Sequence, residues 1–278
     1  MTSFVARTGR RALQMLLGSF CLCFGMASAA TFDIAVLPSR FELATQSGKR
    51  LGQSIDIHNM GLTATEVSIR SLDWTYSPEG DIAYFDELRD GSCRPWVTLE
   101  RRTLSVPPRG KRSLRFQLDV PADAPRGECR FMIAIEGVEP AQQTVIQSGG
   151  ASLSLPVTGR IAIAVYVALN GAAPTFEIKA VGMREGARGA RTPSVTVANT
   201  GDAHGRLDGG LDATDSQGKA YELVPEGTPV MPGQTRTLTL APRADDTGKA
   251  PAPPTYPLKA SGLLDWERGS FKVNAEFK

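Results

Sequence analysis

The chain of 278 residues carries 31 Lys and Arg, 29 Asp and Glu and two His, a formal charge of +2. So even a balance excludes the broad basic face that nucleic-acid binding needs, and no apolar run is long enough to span a bilayer as a helix. With 28 Gly, 19 Pro and hardly any helix signals, the composition points to short strands broken by turns.

The first thirty residues read as an export leader. Arg7, Arg10 and Arg11 form a basic start, Met15 to Met26 an apolar core, and Ala27, Ser28 and Ala29 a small-residue cleavage site. Cleavage near Ala29 or Ala30 removes those three arginines, leaving 28 Lys and Arg against 29 Asp and Glu, a formal charge of −1. The mature chain is therefore expected to start near residue 31 in an oxidising compartment outside the cytoplasm. Two cysteines remain, Cys93 and Cys129, and an isolated pair there is expected to form one disulfide.

From residue 32 the apolar residues alternate. Phe32, Ile34 and Val36 begin a strand that Pro38 ends or bends just before Arg40. Ile55 and Ile57 mark a second strand, stopped at Asn59 to Gly61, and Val67, Ile69 and Trp74 a third. Thr75 to Arg94 is expected to be a loop or small hairpin excursion. Val97 and Leu99, then Leu114, Phe116 and Leu118, then Phe131, Ile133 and Ile135 follow as strands. Gly137 to Gly150 is polar and is expected to be a mobile loop.

Ala151 to Leu169 is the longest alternating run, with Leu153, Leu155, Val157, Ile161, Ile163, Val165, Val167 and Leu169 at every second position and Gly159 as the gap. Strands usually run about five or six residues, so nineteen exceed the needs of one sheet. The half from Ile161 reads as the last core strand of a first domain. The half from Ala151 to Val157 reads either as an exposed apolar edge open to strand addition, or as part of an ordinary long closing strand.

Gly171 to Pro174 reads as a linker. Seven short strands follow, marked by Phe176 and Ile178, Val195 and Val197, Leu207 and Leu211, Tyr221 and Leu223, Leu238 and Leu240, Leu263 to Trp266, and Phe271 to Phe277. The expected fold is all-β: two immunoglobulin-like β-sandwich domains, residues 31–170 and 171–278, after a leader at 1–30.

No catalytic motif is present. There is no Gly-x-Ser-x-Gly, no phosphate loop and no histidine pair at helical spacing, so no enzyme activity, metal or cofactor is expected. Asp212, Asp215 and Gly218 lack the spacing of a calcium loop and read as a hairpin turn. His58 and His204 fall in or beside turns and are expected to face solvent. The basic group Arg101, Arg102, Arg109, Lys111, Arg112 and Arg115 reads as the wet face of a sheet. Arg160 is the odd one out, for it lies among small and apolar residues on the parity opposite to Leu155 and Ile161. A cation there wants an anion, internal or brought by a partner.

Residues 32 to 169 resemble the periplasmic chaperones of pilus assembly by the chaperone–usher route. The resemblance lies in Arg40 on the first strand, the Val-Pro-Pro-Arg-Gly-Lys-Arg-Ser-Leu-Arg-Phe segment at 106–116, Gly-Glu-Cys-Arg-Phe-Met at 127–132, and the long alternating strand carrying Arg160. It implies a chaperone that binds a pilus or fimbrial-type subunit, with an outer-membrane usher as a further partner. It also implies Arg40 and Arg160 as the anchor for the subunit's C-terminal carboxylate, and Leu153, Leu155 and Val157 as donated side chains. Arginine in place of lysine at 160, Pro156 and Gly159 within the donor run, the cysteine pair and the 75–94 excursion depart from the family pattern. The alternative is a two-sandwich envelope adaptor or surface protein, in which Ala151 to Val157 would be fully paired within its own domain.

Overall fold

The structure is a computed structural model that describes residues 32–138, 142–148, 151–157, 159–186, 189 and 191–278; for 142–148 and 151–157 it describes the backbone alone. The expected leader, and the side chains of Leu153, Leu155 and Val157, lie outside what it describes.

The first part of the chain forms β1 (Ile34–Leu37), β2 (Arg40–Thr45), β3 (Arg50–Asn59), β4 (Thr65–Tyr76), β5 (Ile82–Phe85), β6 (Val97–Leu99), β7 (Thr103–Val106), β8 (Lys111–Asp119), β9 (Gly127–Gly137), β10 (Gln142–Ser148), β11 (Ala151–Val157) and β12 (Arg160–Leu169). One sheet has the order β1-β3-β8-β6; the sheet facing it runs β2-β12-β9-β4-β5, with β7 also on β4. Alternation is the cause. Ile55 and Ile57 of β3, Leu114, Phe116 and Leu118 of β8, Ile133 and Ile135 of β9 and Ile163, Val165 and Val167 of β12 fill the space between the two sheets.

The first strand is shared between the two sheets. β1 pairs antiparallel with β3, the chain crosses at Pro38, and β2 then pairs parallel with β12. The 75–94 excursion is a hairpin, with β5 on the end of β4, and a disulfide joins its base at Cys93 to Cys129 with Cα atoms 5.5 Å apart.

The second part forms β13 (Phe176–Glu185), β14 (Arg191–Asn199), β15 (Asp208–Thr214), β16 (Ala220–Pro225), β17 (Thr235–Pro242), β18 (Leu258–Trp266) and β19 (Gly269–Phe277). The ladder runs β13-β14-β17-β16-β15-β18-β19 and folds over so that β13 meets β19, enclosing a core of Val195, Val197, Leu211, Leu223, Leu238 and Phe277. The protein is thus all-β, built from two immunoglobulin-like sandwiches. No helix among the described residues is long and apolar enough to cross a membrane.

Each sandwich has the same corner. Asn59, at the end of β3, is buried and donates through Nδ2 to the carbonyls of Thr63 and Val106, while its Oδ1 accepts from Gly61 N–H. Asn199, at the end of β14, is buried and donates to the carbonyls of Ala203 and Val230, and its Oδ1 accepts from Gly201 N–H. Buried polar groups are kept only when satisfied, and each asparagine here closes a turn from inside.

Two expectations are corrected. Gln142 to Ser148 is not a loop: it is β10, paired antiparallel with β11 from Gln142↔Val157 to Ser148↔Ala151. His204 does not face solvent, since its side chain is only 9% exposed, packed between the two sandwiches.

Candidate functional site

β12 has two flanks. One pairs with β9 along its whole length, from Arg160↔Glu136 to Leu169↔Gly127. The other is covered by β2 only from Ala164↔Arg40 to Leu169↔Thr45. Because β1 has gone to the opposite sheet, Arg160 to Ile163 has no neighbour on that side among the described residues. Among the described residues β11 pairs with β10 alone, so it too leaves one flank bare. An unpaired row of main-chain donors and acceptors is therefore left next to the start of β2.

Gly159 marks where the sandwich ends and the β10–β11 hairpin begins. A Cβ at this position would run into the Phe32 ring, which packs on the edge of the first core. The gap in the alternating pattern is thus a seat for an aromatic ring rather than a break in the strand.

The outer face of the second sheet carries the charges. Register puts Arg160, Ala162, Ala164 and Tyr166 of β12 on that face, together with Arg40 and Glu42 of β2 and Glu136 of β9. Arg40 and Arg160 therefore share a face, but they are not brought together: Arg160 lies four residues along β12 from the position opposite Arg40, about 13 Å at strand rise. Each has its own acid. Arg40 Nε donates to Glu42 Oε1 at 2.7 Å, and Arg160 Nε forms an ion pair with Glu136 Oε1. Both arginines stay about half exposed, at 50% and 44%, so most of their N–H groups face outward. The anion that Arg160 calls for is thus supplied from within.

Further along, the same face turns apolar and docks the second sandwich. Leu72, Trp74, Tyr76, Met132, Ala134 and Tyr166 form a cluster closed by Met231 from the second domain. His204 stacks on Tyr166 with ring centroids 3.7 Å apart, and Glu128 Oε2 accepts from its N–H at 2.9 Å and meets Nδ1 at 2.5 Å. Glu42 faces the same ring from β2, 3.8 Å from Nε2, and also accepts from Arg206 Nε at 3.3 Å. Burial alone would lower the His204 pKa; the hydrogen bonds with Glu128 and Glu42 override it and raise the value. His204 holds the Glu42 carboxyl well below the usual range, against the pull of burial. Burial pushes the Tyr166 phenol up to about 12, so that ring stays neutral.

A cleft of about 710 Å³ opens between the two sandwiches beside this seam, lined by Glu42, Tyr166, His204, Arg206 and Trp266 among others. Gln234 Nε2 donates to Tyr76 O at 2.5 Å and Arg236 Nε to Pro78 O at 3.0 Å, tying the other side of the seam. The linker is part of this packing: Ala172 and Ala173 are buried, and Ala173 N–H donates to Asp202 Oδ1 at 2.7 Å.

Sequence reasoning did not find Glu136, Arg70, Glu128 or Glu42. Their roles come from cross-strand register and from docking, and no local pattern marks them.

The chain matches no known family model and no curated protein. Among solved structures, several that match are chaperones, including a class 5 fimbriae chaperone, CfaA, and a chaperone–tip adhesion subunit complex of chaperone-usher pili. The chain is similar to the YadV chaperone, at 13% identity over 88% of this chain and 99% of that one, with a TM-score of 0.45. It is similar to the CupB2 chaperone of Pseudomonas aeruginosa at 11% identity over 88% and 100%, with a TM-score of 0.44. It is similar to a chain of the CsuC–CsuE chaperone–tip adhesion subunit pre-assembly complex from archaic chaperone-usher Csu pili of Acinetobacter baumannii at 13% identity over 88% and 97%, with a TM-score of 0.42.

Proposed function

We propose that this protein is a non-enzymatic periplasmic chaperone, exported by its leader, that binds an incomplete β-sandwich subunit of pilus or fimbrial type by strand addition. The observation that carries this reading is the bare flank of β11 and of Arg160 to Ile163, which ends where β2 begins. A guest strand laid there continues the line of β2 and gains main-chain hydrogen bonds along its length. The adaptor alternative requires Ala151 to Val157 to be fully paired and buried within its own domain, whereas among the described residues that segment pairs with β10 alone, which favours the chaperone reading.

Charge supports one direction for the guest. A strand running parallel to β12, as β2 does, brings its C-terminal carboxylate up to Arg40, with Arg160 on the same face. An antiparallel strand brings an ammonium group to the same two cations. Charge-assisted hydrogen bonds to a carboxylate favour the first by on the order of 1.5–3 kcal/mol each. In this reading Arg40 and Arg160 anchor the guest, and Leu153, Leu155 and Val157 are the side chains donated to its open core, with an usher receiving the complex.

The test is co-purification from the periplasm with a pilus-type subunit, as a one-to-one complex. Leu155→Asp is expected to abolish it, and Arg40→Ala with Arg160→Ala to weaken it about tenfold or more. Hydrogen exchange on the free protein should show every second amide of Ala151 to Val157 unprotected, those pointing to the bare flank. Uniformly slow exchange sinks strand addition, and full binding by the double variant sinks the anchor.

A further inference from the structure

Arg160 does not wait alone for a carboxylate. Glu136 of β9 lies opposite it in register, and Glu136 Oε1 forms an ion pair with Arg160 Nε. The same carboxylate is held from its other flank by Arg70 of β4, through Nη2 to Oε1 at 3.0 Å and Nε to Oε2 at 3.4 Å. Arg70 in turn donates through Nη1 to Asp86 on the excursion. Exposure is graded across the three, at 18% for the Glu136 side chain, 33% for Arg70 and 44% for Arg160. The glutamate is fixed by a two-pronged grip from the inner arginine, and the outer arginine holds it by one contact.

The asymmetry decides what happens when a second carboxylate arrives. If Arg160 turns outward to meet it, Glu136 keeps both bonds to Arg70 and no charge is stranded. The exchange trades one ion pair for another at a half-exposed position, where a single pair is worth little. Resting on the anchor reading above, we propose that Glu136 is a positioning residue: a resident substitute for the guest's terminal carboxylate that holds Arg160 toward β9, away from the free flank, until a guest carboxylate replaces it, and so sets how strongly a carboxylate is preferred over a neutral chain end. Arg70 is the residue that lets the substitute be displaced.

The inference makes two opposite predictions. A fluorescent ten-residue peptide of alternating valine and serine is titrated onto the full chain with a free C-terminal carboxylate and, separately, as its C-terminal amide. In the wild type the carboxylate form is expected to bind more tightly. Glu136→Gln removes the competitor and is expected to raise the carboxylate-to-amide affinity ratio about tenfold. Arg70→Gln leaves Glu136 wholly to Arg160 and is expected to lower the ratio. A purely structural role would weaken both peptides equally in both variants and leave the ratio where it was. A ratio above one in the wild type that is unmoved by either change overturns the exchange and leaves the anchor standing. A ratio of one in the wild type and in every variant overturns the anchor itself. If Glu136→Gln unfolds, by circular dichroism, the direction of the Arg70→Gln shift decides.

Discussion

The two sandwiches carry the same buried asparagine corner and spend it differently. At Asn59 the turn returns at once to β4, and its tip leaves Met60 54% and Leu62 77% exposed. At Asn199 the same three hydrogen bonds hold a loop whose next residues, Asp202, His204 and Arg206, reach Arg126, Glu128 and Glu42 of the first domain. One corner ends a strand, while the other aims a loop. The lesson is that a rigid local lock does not fix a role: what lies opposite the turn does.

The largest way to break the symmetry is the disulfide, which only the first sandwich has. Cys93→Ser with Cys129→Ser opens a closure spanning 36 positions and is expected to cost that domain about 3–4 kcal/mol. Calorimetry should then show the first domain's transition moving down while the second stays in place. Next come the corners. Asn59→Ala and Asn199→Ala each strand buried carbonyls and are expected to cost about 2–3 kcal/mol. Only Asn199→Ala should also change the interdomain distance read by a fluorophore pair across the seam.

The glycines within the corners sharpen the contrast. A Cβ on Gly61 comes closest to Asn59 Oδ1, at 3.1 Å, with Asp33 at ordinary contact distance, whereas one on Gly201 runs into the linker backbone at Ala173 to Thr175. Gly201→Ala is expected to cost about 1–3 kcal/mol and Gly61→Ala clearly less, by thermal unfolding of each variant.

A smaller effect depends on pH. His204 has a raised pKa in the docked state, so its contribution is complete below the ordinary histidine value of about 6.5 and is lost as pH rises through the raised one. The Glu42 pKa is lowered, so its share is complete above the ordinary glutamate value of about 4.3 and is lost only as pH falls through the depressed one. The groups facing this ring are Glu128 and Arg130 of β9, Glu42 of β2 with Arg40 behind it, Tyr166 of β12 and Arg206. Docking is therefore expected to be firmest from about pH 5 to pH 6.5 and to loosen on the alkaline side. His204→Gln should flatten that alkaline decline in the fluorophore distance, and a decline that persists in the variant refutes the assignment.

Much of the fold was legible because core strands write their burial into every second residue. Ile133 to Ile135, Ile163 to Val167 and the seven strands after Pro174 needed no partner to be recognised. β10 looks like a loop in sequence for the complementary reason: Gln142, Gln143, Thr144 and Gln147 show no apolar period, and the strand exists through its pairing with β11. His204 looks exposed in sequence because its neighbours Gly201, Asp202 and Gly205 look like any wet turn, and it is packing against the first domain that makes that turn an interior. At the candidate site, the parity of Arg160 was visible. Its bond to Glu136 was not, since twenty-four positions separate the two and register alone joins them.

The crossing at Pro38 carries a last consequence. The vacancy beside Arg160 to Ile163 is produced by the route of the main chain, which commits one stretch to one layer and the next to the other. No side chain has to be kept for this gap to exist, so under the proposed function the residues around it can change with the guest while the gap itself stays open.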